Sequence, residues 1–205
     1  MSESWNLGKS QNFCLTLSAA RSTEEVIELY GGDLGTARWL ASEDCEIATG
    51  ESTLLRAGPL GGWAFCVEFE NPIGSLDGVV RKLSVNTETI ILYHTAKALK
   101  VFQYVVNGQL VESFEPGYLS SSWGWSKHEF SRKVHELIPS SSNAVTACLH
   151  VISEHIGQPL TTDLLTGPLL SAVIDNPDRP TLARRAPGLR MTTPPGTDST
   201  LGRRL

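Results

Sequence analysis

The chain has 205 residues and a formal net charge of -5, from 17 basic and 22 acidic side chains. Hydrophobic residues make up 40% and charged residues 19%, which excludes collagen, a coiled coil and wholesale disorder. A chain of this length can bury a core without metal or disulfide support. These figures establish an ordinary globular protein and no activity.

The first 70 residues alternate between strand and helix patterns. The run FCLTLS at 13–18 predicts a strand, and a capping box of Ser22 with Glu25 predicts a helix that ends at Gly31-Gly32. A second, short helix is expected at 35–42. Two strands follow at 53–57 and 62–70, with the turn between them at Gly58-Pro59-Leu60-Gly61. Strict alternation in the second strand predicts Trp63, Phe65, Val67 and Phe69 on one face and Ala64, Cys66, Glu68 and Glu70 on the other.

The middle of the chain predicts a helix, a central strand and a hairpin. Residues 75–84 fit a short helix, and TIILYHT at 89–95 is apolar on both faces, as a central strand is. Asn107-Gly108 is a strong signal for a two-residue turn between strands 100–106 and 109–114. The register of that turn predicts the pairs Val105 with Leu110, Tyr104 with Val111, Gln103 with Glu112 and Val101 with Phe114.

Three helices are expected after residue 125. Ser126 to Glu129 forms a second capping-box pattern, with Trp125 and Phe130 as its hydrophobic staple, and this helix ends before Pro139. Ser142 or Asn143 begins the next helix, which Gly157 ends. Thr161 or Thr162 begins the last one, which runs through Leu170 and Val173 with a kink at Pro168.

The resulting order is β-α-β-β-α-β-β-β-α-α-α, so the fold class is α+β with a mostly antiparallel sheet. Its first six elements match a ferredoxin-like split βαβ order. Residues 1–175 form the single globular domain in this interpretation. Residues 176–205 contain five Pro, three Gly and six Arg against two Asp, and are interpreted as a disordered tail of charge +4. The domain then holds 11 basic and 20 acidic residues, a charge of -9.

The cysteines and the N-terminus favour a cytoplasmic protein. Cys14, Cys45, Cys66 and Cys148 are far apart and form no C-x-x-C pair. No signal-peptide pattern begins the sequence, and no apolar run is long enough for a membrane span. No cofactor motif is present either, because the chain lacks a G-x-G-x-x-G or a Walker A loop.

Several stretches carry a family resemblance. CLTL (14–17), STEEVIELYGG (22–32), LGGWAFCVEFEN (60–71), ETIILYHT (88–95), QLVESFEP (109–116) and Trp123-Gly124 together resemble a domain of unknown function that is common in actinobacteria. The resemblance covers about residues 12–170. It implies a small cytoplasmic bacterial domain, and it implies no activity and no catalytic residues.

The titratable residues offer one candidate catalytic pair and no metal site. If the strand at 89–95 lies beside the strand at 62–70, Glu68 and His94 form a carboxylate–imidazole pair of the kind that transfers protons. A solvated sheet face is the alternative for Glu68. His150 and His155 are five residues apart and point in different directions on a helix, and Arg132 lies between His128 and His135. No metal is therefore expected at either pair.

The loop SSSWGWS at 120–126 is the best surface candidate. Trp123 and Trp125 are either interface anchors or contacts that fix the loop to the core. The leading hypothesis is a non-enzymatic interaction module with an unidentified protein partner, in one version an antitoxin or immunity protein that neutralises a basic nuclease. The alternatives are a small hydrolase or transferase that uses Glu68 with His94, and weak nucleic-acid binding through the Arg-rich tail. No membrane partner is expected.

Overall fold

The chain folds around one antiparallel sheet, as a computed structural model shows for residues 12–45, 52–69, 72–95, 99–125 and 127–175. The strands described there are β1 (Phe13–Ala19), β2 (Arg38–Leu40), β3 (Ser52–Leu60), β4 (Trp63–Phe69), β5 (Glu88–His94), β6 (Lys100–Val106), β7 (Gln109–Phe114), β8 (Trp123–Gly124) and β9 (Leu169–Asp175). The helices are α1 (Thr23–Tyr30), α2 (Asp77–Ser84), α3 (Glu129–Leu137), α4 (Ala144–Ile156) and α5 (Thr162–Thr166). The strand order is β2-β9-β3-β4-β1-β5-β6-β7-β8.

The predicted fold class is confirmed. Strands β3, β4, β1 and β5 are neighbours in that order and pair antiparallel, which is the ferredoxin-like split βαβ arrangement. The helix α1 packs on β3 and β4, and α2 packs on β5 and β6. The capping box of Ser22 and Glu25 is present, and α1 ends at Gly31, whose φ of 97° only glycine adopts readily.

Helices cover both faces of the sheet at its centre, and different helices cover each face. Phe65 and Val67 of β4 lie in the hydrophobic core that α3 and α4 cover. Ala64 and Cys66 of the same strand lie in the core that α1 covers. The alternation predicted for this strand is therefore confirmed, except that Glu70 lies outside the described residues.

The hairpin of β6 and β7 contains a bulge that the sequence did not predict. Val105 pairs with Leu110 as expected, but Tyr104 then pairs with Glu112 instead of Val111, and Phe102 pairs with Phe114. A shift of one residue exchanges the faces of the strand, so Glu112 and Phe114 lie on the α3 face of the sheet. Burial of Phe114 against Phe102, with ring centroids 4.8 Å apart, favours this register.

Three local predictions were wrong because distant strand pairing overrides them. Residues 38–40 of the expected helix at 35–42 form β2, which pairs with β9. The second half of the expected last helix is β9, which lies between β2 and β3. The turn expected at 58–61 lies at Gly61-Gly62, because Gly58, Pro59 and Leu60 belong to β3.

The start of α3 also differs from the prediction. The helix begins at Glu129 after His128, which has a left-handed φ of 53° and makes no side-chain cap. Trp125 is 96% exposed, so it forms no staple with Phe130. Ser126 lies outside the described residues, as does the predicted tail at 176–205. The predicted ends of α3 before Pro139 and of α4 at Gly157 are confirmed, and Asn143 caps α4.

The bulge buries Phe114, and this burial can be tested by stability measurements. Phe114→Ala should lower the free energy of unfolding by about 3–5 kcal/mol, because it opens a cavity beside Phe102. Leu110→Ala, at a position 39% exposed on the same strand, should cost less than about 1 kcal/mol. Urea denaturation measures both. Equal losses of unfolding free energy in the two variants would place Phe114 on the same face of the sheet as Leu110, as the register without a bulge requires.

Candidate functional site

The sheet extends beyond α2 and leaves an apolar cleft on that face. Because Ser113 pairs with both Gln103 and Trp123, these side chains share one face, and Val101 and Leu110 lie on it as well. A cleft of about 300 Å³ is lined there by Val101, Leu110, Ser113, Phe114, Glu115, Ser121 and Trp123. This part of the sheet therefore presents apolar side chains to solvent.

Three aromatic residues of the segment from 118 to 125 are exposed, and we call them the aromatic edge. Tyr118 is 60% exposed, Trp123 is 71% exposed and Trp125 is 96% exposed. Trp123 lines the cleft, whereas Trp125 projects from the end of β8. The tryptophans predicted as surface candidates are thus at the surface, and the structure excludes the core-locking alternative for Trp125.

Backbone contacts fix the position of the aromatic edge. The N–H of Trp125 donates to the carbonyl of Val111 at 2.9 Å, and Trp123 pairs with Ser113. Gly124 between them has a φ of 125°, and a Cβ at this position would collide with the Val111 carbonyl. A glycine is therefore required for the chain to pass this close to the bulge.

Glu112 connects the bulged strand to α3. Its side chain is 1% exposed, and its two carboxylate oxygens accept the N–H groups of Phe130 at 3.2 Å and Ser131 at 2.8 Å. These N–H groups belong to the first turn of α3, where helical partners are missing and the helix dipole favours a negative charge. The carboxylate thus replaces the N-cap that the sequence pattern placed at Ser126.

The proposed pair of Glu68 and His94 is not formed. The strand β1 lies between β4 and β5, with Cys14 opposite Glu68 and Phe13 opposite His94. Consecutive residues of a strand point to opposite faces, so Glu68 and His94 lie on opposite sides of the sheet. The ring of His94 accordingly contacts Phe13, with centroids 5.9 Å apart.

Glu68 instead lies buried on the face of the sheet that α1 covers. Its carboxylate accepts the N–H of Ile73 at 2.6 Å and the N–H of Gly74 at 2.9 Å. Tyr30 is also a hydrogen-bond partner, and its hydroxyl contacts the hydroxyl of Thr16 at 2.8 Å. Burial raises the pKa of Glu68 from 4.5 to about 7, although the bonds from the two N–H groups and from Tyr30 lower it.

A different carboxylate–imidazole pair is present, between Glu88 and His155. One oxygen of Glu88 accepts the hydroxyl of Tyr104 at 2.6 Å and lies 3.2 Å from Nε2 of His155. Burial, followed by the bond to Glu88, raises the pKa of Tyr104, so its hydroxyl stays protonated at neutral pH. The sequence predicts a solvated helix face for His155. It gave no local signal for the pair, because 67 residues separate the partners.

The remaining histidines form no metal site. Nδ1 of His135 lies 2.7 Å from the carbonyl of Ser131, one turn earlier in α3. Within the described ranges, no group of three or more His, Cys, Asp or Glu side chains can hold a metal ion. The four cysteines are free thiols. No helix in the described part of the chain is long and apolar enough to cross a membrane.

The contact of Glu112 with α3 can be tested by a single-atom change. Glu112→Gln leaves one oxygen for two N–H donors, so the free energy of unfolding should fall by about 1–3 kcal/mol. Glu115→Gln, three residues further along the same segment, should change it by less than about 0.5 kcal/mol. Urea denaturation of both variants distinguishes the two. Equal, small effects would show that Glu112 does not cap α3.

The raised pKa of Glu68 leads us to expect an unusual dependence of stability on pH. Its pKa in the folded state, about 7, lies above the value of 4.5 for the unfolded chain, so the folded state retains the proton over this interval. Stability from this group is therefore present at low pH and lost as the pH rises through about 7. Between pH 5 and pH 8, the advantage of the wild type over Glu68→Gln should shrink by about 2–3 kcal/mol. A constant difference in denaturation experiments would contradict this.

The comparisons with known proteins identify a family. A family model with the description "Family of unknown function (DUF6461)" matches residues 1–128. The match includes the ferredoxin-like strands and the aromatic edge, and it ends directly before α3, short of the expected residue 170. No curated protein and no solved structure shows significant similarity to the chain. Because the match covers more than half of the 205 residues, the chain belongs to this family of unknown function, DUF6461.

Proposed function

We propose that the chain is a cytoplasmic, non-enzymatic interaction module that binds a basic protein through its aromatic edge. This proposal rests on the exposure of Trp123 and Trp125, which are 71% and 96% exposed on a backbone that is bonded to β7. Large exposed aromatic side chains beside an apolar cleft are the usual composition of a binding hot spot.

The fixed backbone favours binding over accidental exposure. A tryptophan has two side-chain torsions and a large contact area, so ordering it in a complex costs little conformational entropy. The bond from Trp125 to Val111 and the close approach at Gly124 hold the backbone before any partner arrives. A pre-organised surface retains more of its contact energy as affinity.

The charge of the chain favours a basic partner. Residues 1–175 hold 20 acidic and 11 basic side chains, and Glu24, Glu25 and Glu28 are exposed on α1. A negative surface accelerates association with a positive one and disfavours acidic partners. An antitoxin or immunity protein that covers a basic nuclease is one concrete version of this module. The free cysteines suit the reducing cytoplasm proposed for it.

Weak nucleic-acid binding is the second proposal, and it depends on other residues. It requires the six arginines of 176–205, which lie outside the described residues. Deletion of 176–205 should then abolish retention on DNA at low salt, whereas the interaction module should bind its protein partner without the tail.

The decisive experiment captures the partner with matched tryptophan variants. The full chain, Trp123→Ala/Trp125→Ala and Trp39→Ala are used as baits in lysate of the native host. Trp39 is 53% exposed on β2, at the opposite edge of the sheet. The captured protein is then purified and titrated against each bait at two salt concentrations.

We expect one stoichiometric basic protein that binds the wild type and Trp39→Ala equally. The double variant should weaken binding by about 30-fold or more, because each tryptophan is a hot-spot anchor. Higher salt should slow association. Equal binding by the double variant, binding that ignores salt, or the absence of a stoichiometric partner would contradict the proposal.

A further inference from the structure

A second cavity lies on the opposite face of the sheet, between α3 and α4. Its volume is about 170 Å³, and it is lined by Tyr104, Glu129, Phe130, Lys133, Val151 and His155. A space of this size accommodates one small organic group. The aromatic edge contributes no residue to it.

Aromatic rings form the inner wall of this cavity. The ring of Phe130 lies 5.0 Å from the ring of Tyr104 and 5.0 Å from the ring of His155. The rings of His155 and Tyr104 are 5.7 Å apart, and Trp63 supports His155 from behind at 5.9 Å. Mutual packing holds each ring in place, so the wall is formed before a ligand binds.

Glu88 fixes the orientation of this wall. Its carboxylate contacts both the hydroxyl of Tyr104 and Nε2 of His155, at 2.6 Å and 3.2 Å. These two contacts connect β5 with β6 and α4, which both contribute residues to the cavity. They also place a carboxylate in contact with two of the three aromatic residues.

The charges around the cavity are mainly negative. Lys133 is the one cation among the lining side chains with a permanent charge, and it lies 3.8 Å from Glu129 and 3.3 Å from Glu154. Glu88 contacts His155 and not Lys133, so the cavity lining and its direct contacts together hold three carboxylates and one ammonium group, a charge of -2 when the imidazole is neutral. An anionic ligand would therefore meet net repulsion, and a cation net attraction.

We propose that this cavity binds a guanidinium group, such as that of an arginine side chain or a small alkylguanidine. A planar, weakly hydrated cation stacks on one of the two tilted rings of Tyr104 and Phe130 and pairs with the carboxylate of Glu129. A compact ammonium ion is more strongly hydrated and gains less from an aromatic wall. This inference does not depend on the aromatic edge or on the proposed partner.

The test is an NMR titration of the full chain with ethylguanidinium chloride, and with N-ethylurea as a neutral probe of the same shape. We expect saturable shifts of the His155 ring and Trp63 indole signals with ethylguanidinium, and none that saturate with N-ethylurea. Sodium propionate serves as the anionic probe. All titrations use the same pH and total ionic strength.

Surface variants then determine the sign of the effect. Glu129→Gln should weaken ethylguanidinium binding about threefold, and Lys133→Gln should strengthen it about threefold, because both change exposed or half-exposed charges at the rim. Glu136→Gln, which lies on the outer side of α3 beside Arg132, should leave it unchanged. Glu129 and Glu136 are exposed and the Lys133 side chain is 33% exposed, so we expect all three variants to fold.

Three results would overturn the inference. The first is the absence of a saturable shift with ethylguanidinium, and the second is an equal response to N-ethylurea. The third is the opposite sign pattern, with propionate binding that Lys133→Gln abolishes, which would assign an anion to the cavity.

Discussion

The carboxylate of Glu112 is the contact on which the position of α3 depends. It closes the open N-terminal turn of α3 from inside the sheet, by bonds to the N–H groups of Phe130 and Ser131. The bulge after Leu110 turns this carboxylate inward, and the same bulge accepts the N–H of Trp125 and faces Gly124. One irregular residue therefore positions both α3 and the aromatic edge.

The sheet separates two surfaces with different chemistry. On the α2 face, strands β6 to β8 extend beyond the helix and leave an apolar cleft beside Trp123. On the other face, α3 and α4 cover the sheet and form the small cavity, with the carboxylate of Glu129 in its lining. The first surface suits the large, dry core of a protein interface, whereas the second suits one small charged group. The match to the family model ends at residue 128, so it includes the first surface and none of α3 or α4.

The sequence predicted the elements that local signals determine. The capping box of Ser22 with Glu25, the alternation of residues 63–69 and the Asn107-Gly108 turn each depend on neighbouring residues. The bulge at Val111 and the strand β9 depend on partners far along the chain, and so did the failed pairing of Glu68 with His94. The sequence alone leaves Trp123 and Trp125 either exposed or packed on the core, and the structure shows both exposed. In the structure, Glu112 caps the first turn of α3, and Trp125 does not pack against it.

The proposed interaction requires that Trp123 and Trp125 are exposed on an ordered backbone before a partner binds. This requirement is tested most directly by the indole N–H signals of the full chain, with a paramagnetic gadolinium chelate in the solvent and heteronuclear NOE measurements on the backbone. We expect strong broadening of the Trp125 and Trp123 indole signals, protection of Trp63, which is 9% exposed, and NOE values of a rigid backbone at 123–125. Protection of Trp125 equal to that of Trp63, or NOE values typical of a flexible chain, would contradict it.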